Sequence, residues 1–250
     1  MQRYFVGEDG WTEQGVTITG EDVHHIVRVM RMQPDDEIIC INPSGYAASC
    51  RITSTDKDAV QCDIIDWLDE QVELPVEVTI VQSLGKGDKL ETVVQKGTEL
   101  GASQFIPYQA ERSVVKWDKK KVDKKISRLE KIAKEASEQC QRTIIPSIHS
   151  VHQLDELIQT GKQFKWKLFA FENEAKQDEY QSLADLVNKM SADDRVIAVI
   201  GPEGGFSQSE AAKLTEAGFH PVRLGPRILR METAPLYLLA SISYHLEELR

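Results

Sequence analysis

Short apolar stretches separated by turn residues fill the first third of the chain. The apolar stretches are residues 15–18, 36–41, 48–52 and 59–65, and turn residues occupy 42–45 and 54–58. Short strands at this spacing are typical of a small antiparallel barrel or sandwich. Residues 21–30 are an exception, because their apolar positions recur at helical spacing and predict a short helix.

After residue 74 the pattern changes to alternating strands and helices. Strand-like runs occur at 76–81, 105–107, 167–171, 195–200 and 221–224, and helical patterns at 88–100, 124–140, 182–190, 207–217 and 234–249. Strands that alternate with helices pair in parallel, so this part predicts one α/β domain. We therefore expect a small β-barrel over residues 1–74 and an α/β domain over residues 75–250.

Length and composition exclude several protein classes. The 250 residues are 41% apolar and 28% charged, which is typical of globular proteins and not of disordered or fibrous chains. No apolar run approaches the length of a membrane span, and the first residues do not resemble a signal peptide, so we expect a cytoplasmic protein. Cys40, Cys50, Cys62 and Cys140 contain no C-x-x-C pair and are predicted to be buried thiols.

The charge is distributed unevenly along the chain. The net charge of −10 resides in residues 1–74, which hold five basic and fifteen acidic side chains, and the remainder is neutral. Within that remainder, residues 112–134 contain ten basic and three acidic side chains. This basic segment is either a solvated helix face or a surface that contacts phosphates.

The sharpest local feature is the segment 200–210, Ile-Gly-Pro-Glu-Gly-Gly-Phe-Ser-Gln-Ser-Glu. An apolar strand runs into a glycine-rich turn, and Ser207 with Glu210 forms a capping box for the next helix. Loops at the carboxyl ends of strands bind ligands in open α/β sheets. The carboxylate of Glu203 disfavours phosphate and suits a positively charged reacting centre such as a sulfonium. The alternative is a tight turn without a ligand.

A second loop, residues 224–235, also follows a strand and precedes an apolar helix. It carries Arg227, Arg230 and Glu232, which can place guanidinium donors and a carboxylate beside a pocket. Alternatively, Arg230 and Glu232 are an ion pair that anchors the last helix. Two weaker clusters lie at 95–101, together with Arg112, and at 138–142. The chain lacks dinucleotide, P-loop, zinc and serine-hydrolase motifs, so no metal is expected.

Taken together, these motifs resemble a known family. The segments G-P-E-G-G-F-S, L-G-x-R-I-L-R-x-E-T-A, Q-K-x-T-E-L-G and E-Q-x-x-R, in a chain that begins with a small barrel, are similar to the RsmE family of 16S ribosomal RNA (uracil-N3)-methyltransferases of the SPOUT superfamily. The resemblance covers essentially the whole chain. It implies a PUA-like barrel, an α/β domain with a trefoil knot, S-adenosylmethionine as the methyl donor, and a homodimer acting on 16S ribosomal RNA of the small subunit.

The resemblance also assigns roles to individual residues. The catalytic residues are expected to be Arg230, with Glu232 or Glu203 as proton acceptor or as the partner of Arg230. The residues expected to bind the methyl donor are Phe171, Glu172, Ile200, Gly201, Pro202, Gly204, Gly205, Leu224, Gly225, Ile228, Leu229, Thr233 and Ala234. RNA contacts are expected at Arg3, Arg28, Arg31, Lys96, Arg112 and Arg142.

Two other functions remain open at this point. The chain is alternatively a knotted methyltransferase that acts on another RNA such as tRNA, or a non-catalytic RNA-binding protein built on a PUA-type barrel. The acidic barrel departs from the basic surface that RNA binding favours. RNA contact would therefore depend on a few arginines in that domain.

Overall fold

The computed structural model describes residues 1–171 and 181–249, and it divides into two compact units. The smaller unit consists of Met1–Glu73 together with Ser137–Ile144. The larger unit consists of Leu74–Ala136 together with the chain from Ile145 onwards. The chain therefore crosses between the units after Glu73, and a short later segment belongs with the first unit.

A five-stranded sheet forms the small unit. Its elements are β1 (Arg3–Phe5), β2 (Gly15–Thr19), α1 (Glu21–His24, continued by a π-helical turn at His25–Val29), β3 (Glu37–Ile41), β4 (Ala47–Thr55) and β5 (Ala59–Leu68), in the sheet order β1-β3-β4-β5-β2. All pairs are antiparallel except β1 with β3, which is parallel. The purely antiparallel expectation is therefore wrong for β1, a strand of three residues that is too short for its alternation to be recognised.

Alternating side chains of these strands form the core of the small unit. The thiols of Cys40, Cys50 and Cys62 lie in this core, as predicted, whereas Cys140 is only half-buried. Ser54 and Thr55, predicted as turn residues, extend β4 instead. Register shifts interrupt the pairing of β4 with β5 at two places, and such bulges increase the local twist and bend of a sheet.

Two arginines of the small unit are buried in ion pairs. The guanidinium of Arg3 donates to both carboxylate oxygens of Glu70, at 2.7 and 2.6 Å, and Arg3 is only 3% exposed. Arg142, only 4% exposed, donates to the carboxylate of Glu73. The prediction that Arg3 and Arg142 contact RNA is therefore corrected, because a buried guanidinium whose charge is matched by a neighbouring carboxylate does not reach a phosphate. Arg28 and Arg31, in contrast, are exposed.

The large unit is built on a seven-stranded parallel sheet in the order β10-β12-β9-β11-β6-β7-β8. Its elements are β6 (Glu77–Ser83), α2 (Lys89–Glu99), β7 (Gln104–Tyr108), α3 (Val122–Gln139), β8 (Ser147–Ile148), α4 (Leu154–Gly161), β9 (Trp166–Ala170), β10 (Gln181–Ser182), α5 (Leu183–Val187), β11 (Arg195–Ile200), α6 (Gln208–Glu216), β12 (His220–Arg223) and α7 (Thr233–Ser243, continued by a π-helical turn at Tyr244–Glu248). The predicted parallel α/β architecture is confirmed. The sequence analysis missed β8, α4 and β10, which are two to eight residues long.

Helices cover both faces of this sheet. In β11, Val196, Ala198 and Ile200 face one core, which the helices α2, α3, α5 and α7 complete. Ile197 and Val199 face the other core, which α4 and α6 complete. Strands buried on both faces consist of continuous apolar residues, as β11 does. Within the described ranges, none of the helices has the length and apolar character of a membrane span.

Candidate functional site

The end of β9 and the loops that follow the neighbouring strands β11 and β12 line a cavity of about 620 Å³. Strands β12, β9 and β11 are adjacent in the sheet, and the two loops leave the carboxyl ends of β11 and β12. The lining residues are Lys89, Arg112, Ala170, Phe171, Ile200 to Phe206, Val222 to Glu232, and Ala234. The parallel arrangement thus brings to one sheet edge the two predicted loops, 200–210 and 224–235, which thirteen residues separate in the chain.

Hydrogen bonds fix the conformation of the glycine-rich loop after β11. The predicted capping box is present, since Ser207 Oγ accepts from the N–H of Glu210 and the Glu210 carboxylate accepts from the N–H of Ser207. Arg112 Nη1 donates to the carbonyl oxygen of Gly204 at 3.1 Å. Gly205 has a φ of +65°, a conformation that favours glycine. The loop therefore presents main-chain groups to the cavity in one fixed arrangement.

The loop after β12 is held by hydrogen bonds from side chains to its main-chain carbonyls. Gly225, with a φ of +79°, makes the turn out of β12, and its carbonyl accepts from Arg223 Nε at 2.8 Å. At the other end, the amide of Gln82 in β6 donates to the carbonyl of Met231 at 3.3 Å. The side chain of Ile228 between these ends is 77% exposed. An exposed apolar side chain at the mouth of a cavity indicates a surface that a ligand covers.

Lys89 joins the carboxylates of the two loops. Its Nζ lies 2.9 Å from Glu203 Oε1 and 3.6 Å from Glu232 Oε2. The hydrogen bond from Lys89 lowers the pKa of Glu203, and the same bond raises the pKa of Lys89. Both shifts favour the charged forms of Lys89 and Glu203.

Arg227 and Arg230 provide the positive charge of the second loop. Among residues 1–171 and 181–249, no hydrogen bond or ion pair involves either guanidinium. The alternative in which Arg230 and Glu232 form an anchoring ion pair is therefore not what the structure shows, since the cation beside Glu232 is Lys89. The main chain of Arg230 instead begins α7, with its carbonyl accepting from the N–H groups of Thr233 and Ala234.

Most predicted site residues of the large unit lie at this cavity. Thr233 and Lys96 do not line it, and Lys96 forms an ion pair with Glu99 on α2. Glu172 lies outside the described residues. The sequence analysis missed Lys89 and Gln82; Lys89 follows Gly85-Lys86-Gly87 after a strand, a signal of the same kind as the two loops that were recognised.

The chemistry of the cavity suits S-adenosylmethionine. Its volume lies in the range of small-molecule sites, and glycine main chain and apolar side chains such as Phe171 and Leu229 dominate its lining. Carboxylates at Glu203 and Glu232 suit a positively charged ligand. The sequence contains no P-loop motif, whose backbone N–H groups would bind phosphate. In the described part of the chain, no three metal-ligating side chains come together.

Two protein families match this chain. An RNA methyltransferase domain matches residues 72–243, and an RNA methyltransferase PUA domain matches residues 18–65. The ribosomal RNA small subunit methyltransferase E of Bacillus subtilis is 48% identical over 256 aligned residues, which cover 100% of this chain and 99% of that protein. The protein of the same name from Synechocystis is 30% identical and covers 98% of this chain, with 78% of its own length aligned.

Solved structures with a bound ligand are also similar. A methyltransferase from Legionella pneumophila in complex with S-adenosylmethionine superposes with a TM-score of 0.85 at 30% identity, covering 97% of each chain. A ribosomal RNA small subunit methyltransferase E from Neisseria gonorrhoeae, bound to S-adenosylmethionine, also has a TM-score of 0.85, at 27% identity and 98% coverage of each chain. Both similarities extend over the two units and therefore over the cavity.

Proposed function

This chain belongs to the family of ribosomal RNA small subunit methyltransferase E, and on that premise we propose that it transfers a methyl group from S-adenosylmethionine to N3 of a uridine in 16S ribosomal RNA. The resemblance found in the sequence motifs is thereby confirmed, as is the combination of a PUA-like domain with a SPOUT-type α/β domain. The trefoil knot stays a prediction. The observation that carries the proposal is the cavity that the end of β9 and the loops after β11 and β12 line together.

The cavity residues hold the methyl donor through main-chain groups and apolar contacts. S-adenosylmethionine, when bound, supplies an electrophilic methyl group attached to a sulfonium. The loops beginning at Gly201 and Leu224 provide N–H and C=O groups that glycine leaves accessible, and Phe171, Ile228 and Leu229 provide apolar surface. The carboxylates of Glu203 and Glu232 favour the positive charge of the donor.

Arg230 stabilises the reacting base. The N3 nitrogen of neutral uracil carries a weakly acidic proton and becomes a good nucleophile only as that proton leaves. Negative charge then develops on the base oxygens, and a guanidinium fixed beside them lowers the energy of that state. Arg230 lines the cavity, and no carboxylate of residues 1–171 and 181–249 forms an ion pair with it. Its charge is therefore available to the base. Glu232 or Glu203 accepts the proton or orients Arg230.

RNA binds through exposed cations. Lys121, in the turn before α3, and Lys124, Arg128 and Lys131 of α3 are exposed and recur at spacings of three and four residues. Arg128 also forms an ion pair with Glu91. Arg28, Arg31, Lys96 and Arg112 are exposed as well. Neutralisation of phosphates by such side chains releases counterions and makes binding sensitive to salt.

The family resemblance also supports a homodimer. The exposed side of α7 carries Tyr237 and Tyr244 beside a second cavity of about 450 Å³, and exposed aromatic side chains of this kind are enriched at protein interfaces. A ribosomal substrate supports a cytoplasmic location. Light scattering at micromolar concentration, with a Tyr244→Glu variant for comparison, tests the dimer.

Methylation mapping tests the proposed function. The full chain is incubated with labelled S-adenosylmethionine and small ribosomal subunits from a strain that lacks this protein, and the RNA is digested and analysed by mass spectrometry. We expect one N3-methyluridine in 16S ribosomal RNA. Label in tRNA instead would favour the other RNA-modifying function, and binding of RNA without any transfer would favour the non-catalytic function.

A further inference from the structure

Lys89 occupies a position between three loops of the large unit. It is the first residue of α2, directly after the turn that leaves β6, whereas Glu203 and Glu232 belong to the loops after β11 and β12. The β6–α2 turn is packed tightly against the last of these loops. A Cβ added to Gly85 would lie 2.9 Å from Met231 Sδ, so a larger residue at this position would require the Met231 side chain to move.

The two carboxylates differ in how fully they are bound. Glu203 Oε1 accepts a 2.9 Å hydrogen bond from Lys89 Nζ. Glu232 Oε2 lies 3.6 Å from the same nitrogen, and this oxygen is buried without a hydrogen bond to any described residue. A buried carboxylate oxygen without a hydrogen-bond donor carries a desolvation cost, which the nearby charge of Lys89 offsets. The Glu232 side chain as a whole is 23% exposed and lines the cavity, so the carboxyl group still meets a bound ligand.

We propose that Lys89 is a positioning residue of the methyl-transfer site: its ammonium lies between Glu203 and Glu232 and fixes the carboxylates of both loops beside the reacting groups. This inference rests on the proposed function. The N3 proton of the uracil passes to Glu232 as the bond between N3 and the methyl carbon forms and the bond between that carbon and the donor sulfur breaks, with the sulfur keeping the electron pair.

Lys89 is the cation that lies beside both carboxylates. The other cations at the cavity are Arg112 from the loop after β7, Arg223 at the end of β12, and Arg227 and Arg230 from the loop after β12. Arg223 donates to the carbonyl of Gly225, and Arg112, Arg227 and Arg230 form no ion pair with Glu203 or Glu232 in the described residues. Without the ammonium, two carboxylates that now share one cation would be left facing each other. Repulsion between like charges raises the pKa of one of them, by about one unit or more.

Two measurements test this role on the full chain. In the free protein, the carboxyl carbons of Glu203 and Glu232 are titrated by NMR in the wild type, Lys89→Met and Lys89→Arg. We expect one of the two titrations to move up by about one pH unit in Lys89→Met and to return in Lys89→Arg. In single-turnover methylation of 16S ribosomal RNA from pH 5 to 9, the acidic limb of the rate profile should move in the same way.

Controls separate this role from simple stabilisation of the loops. Lys86→Met removes a neighbouring positive charge from the same turn, at a side chain that does not line the cavity, and should leave both titrations in place. Unchanged carboxyl titrations in Lys89→Met, or a shift of equal size in Lys86→Met, would overturn the inference. If the wild type methylates no RNA, the proposed function fails, while the NMR titration of the free protein still decides whether Lys89 interacts with the two carboxylates as proposed.

Discussion

The phenolic oxygen of Tyr108 donates a 2.8 Å hydrogen bond to Oε1 of Glu210, and both residues are almost completely buried. Glu210 also accepts from the N–H groups of Glu111 and Ser207, so its carboxylate is satisfied although it is removed from water. Burial, and then the bond to Glu210, raise the pKa of Tyr108, which keeps the phenol a donor over the whole physiological range. The end of β7 thus fixes the start of α6 and the glycine-rich loop before it.

We expect Tyr108→Phe to lower stability by about 1–2 kcal/mol, because a hydrogen bond to a buried charged group is lost while the ring remains. Urea unfolding monitored by circular dichroism measures this difference. Tyr46→Phe is the matched control, since Tyr46 is 65% exposed, and it should change stability by no more than about 0.5 kcal/mol. Equal effects of the two substitutions would show that the Tyr108–Glu210 bond does not stabilise the fold.

The same region shows how far sequence can predict such a site. The capping box of Ser207 and Glu210 was recognised because both partners lie within four residues of each other. The donor Tyr108 was not, because it comes from another strand and is about a hundred residues away. Lys89 was missed for the same reason, as its two carboxylate partners lie in loops that meet it only in the folded sheet.

Burial explains the other errors. Arg3 and Arg142 were assigned to RNA because a guanidinium in a sequence carries no sign of whether a carboxylate meets it, and Glu70 and Glu73 lie almost seventy residues from their partners. The long strands and helices were predictable, since each buries a periodic face over five or more residues. Strand β8, with only two residues, offers no period to detect.

Gly205 provides a test of donor binding. An alanine at position 205 would have to adopt a φ of +65°, and its methyl group would project at the cavity. No atom lies within 4 Å of that methyl position in the free protein. We expect Gly205→Ala to weaken binding of S-adenosylmethionine in calorimetry at least tenfold. Gly218→Ala imposes similar backbone strain, with a φ of +81°, at a position that does not line the cavity. It should lower the melting temperature to a similar extent and leave the affinity unchanged.

The basic side of α3, together with Lys120 and Lys121 in the turn before this helix, provides a test of RNA binding. We expect Lys120→Glu, Lys121→Glu and Lys124→Glu together to weaken binding of 16S ribosomal RNA and to flatten the dependence of log K on log salt by about one unit per lost phosphate contact. A triple variant in which Lys57, Lys189 and Lys213 are changed to Glu controls for the change in net charge, since these exposed lysines lie on other elements. Equal salt slopes for both triple variants would assign the basic side of α3 to solvent.

Acid stability should depend on Asp194. Burial acts to raise the pKa of this carboxyl, but hydrogen bonds from Lys165, Trp166 and the N–H of Ser191 outweigh it and lower the pKa to about 2. Because the pKa in the unfolded chain is about 3.9, the ionised carboxylate stabilises the fold above about pH 4, and this contribution is lost as the pH falls towards 2.

We therefore expect Asp194→Asn to lower the free energy of unfolding by about 1–2 kcal/mol at pH 7, a value reduced by the solvent exposure of Lys165. The difference from the wild type should shrink between pH 4 and pH 2. Urea unfolding at a series of pH values measures it, and Asp58→Asn, at an exposed turn, is the control. A difference that does not vary with pH would assign the loss to packing rather than to charge.

We propose that the chemical step depends on Arg230, which lines the cavity. Its guanidinium lines the cavity and meets no carboxylate in the described residues, whereas Glu232 is matched by Lys89. An ion pair with Glu232 would have made Arg230→Ala a stability variant. The structure instead predicts little change in melting temperature, and little change in the affinity for S-adenosylmethionine.

Arg230→Ala should lower the rate of methyl transfer. If the guanidinium meets a uracil oxygen only as negative charge develops, its removal costs about 3 kcal/mol of transition-state stabilisation, or roughly a hundredfold in single-turnover rate, by analogy with the loss of one oxyanion donor. Arg227→Ala, in the same loop and also at the cavity, distinguishes a specific contact from a general loss of positive charge. Single-turnover methylation, calorimetry and thermal melts on both variants measure the three quantities. A near wild-type rate for Arg230→Ala, with a large loss for Arg227→Ala, would transfer the role to Arg227, because both guanidinium groups line the cavity and only the one beside the reacting oxygen can stabilise its charge.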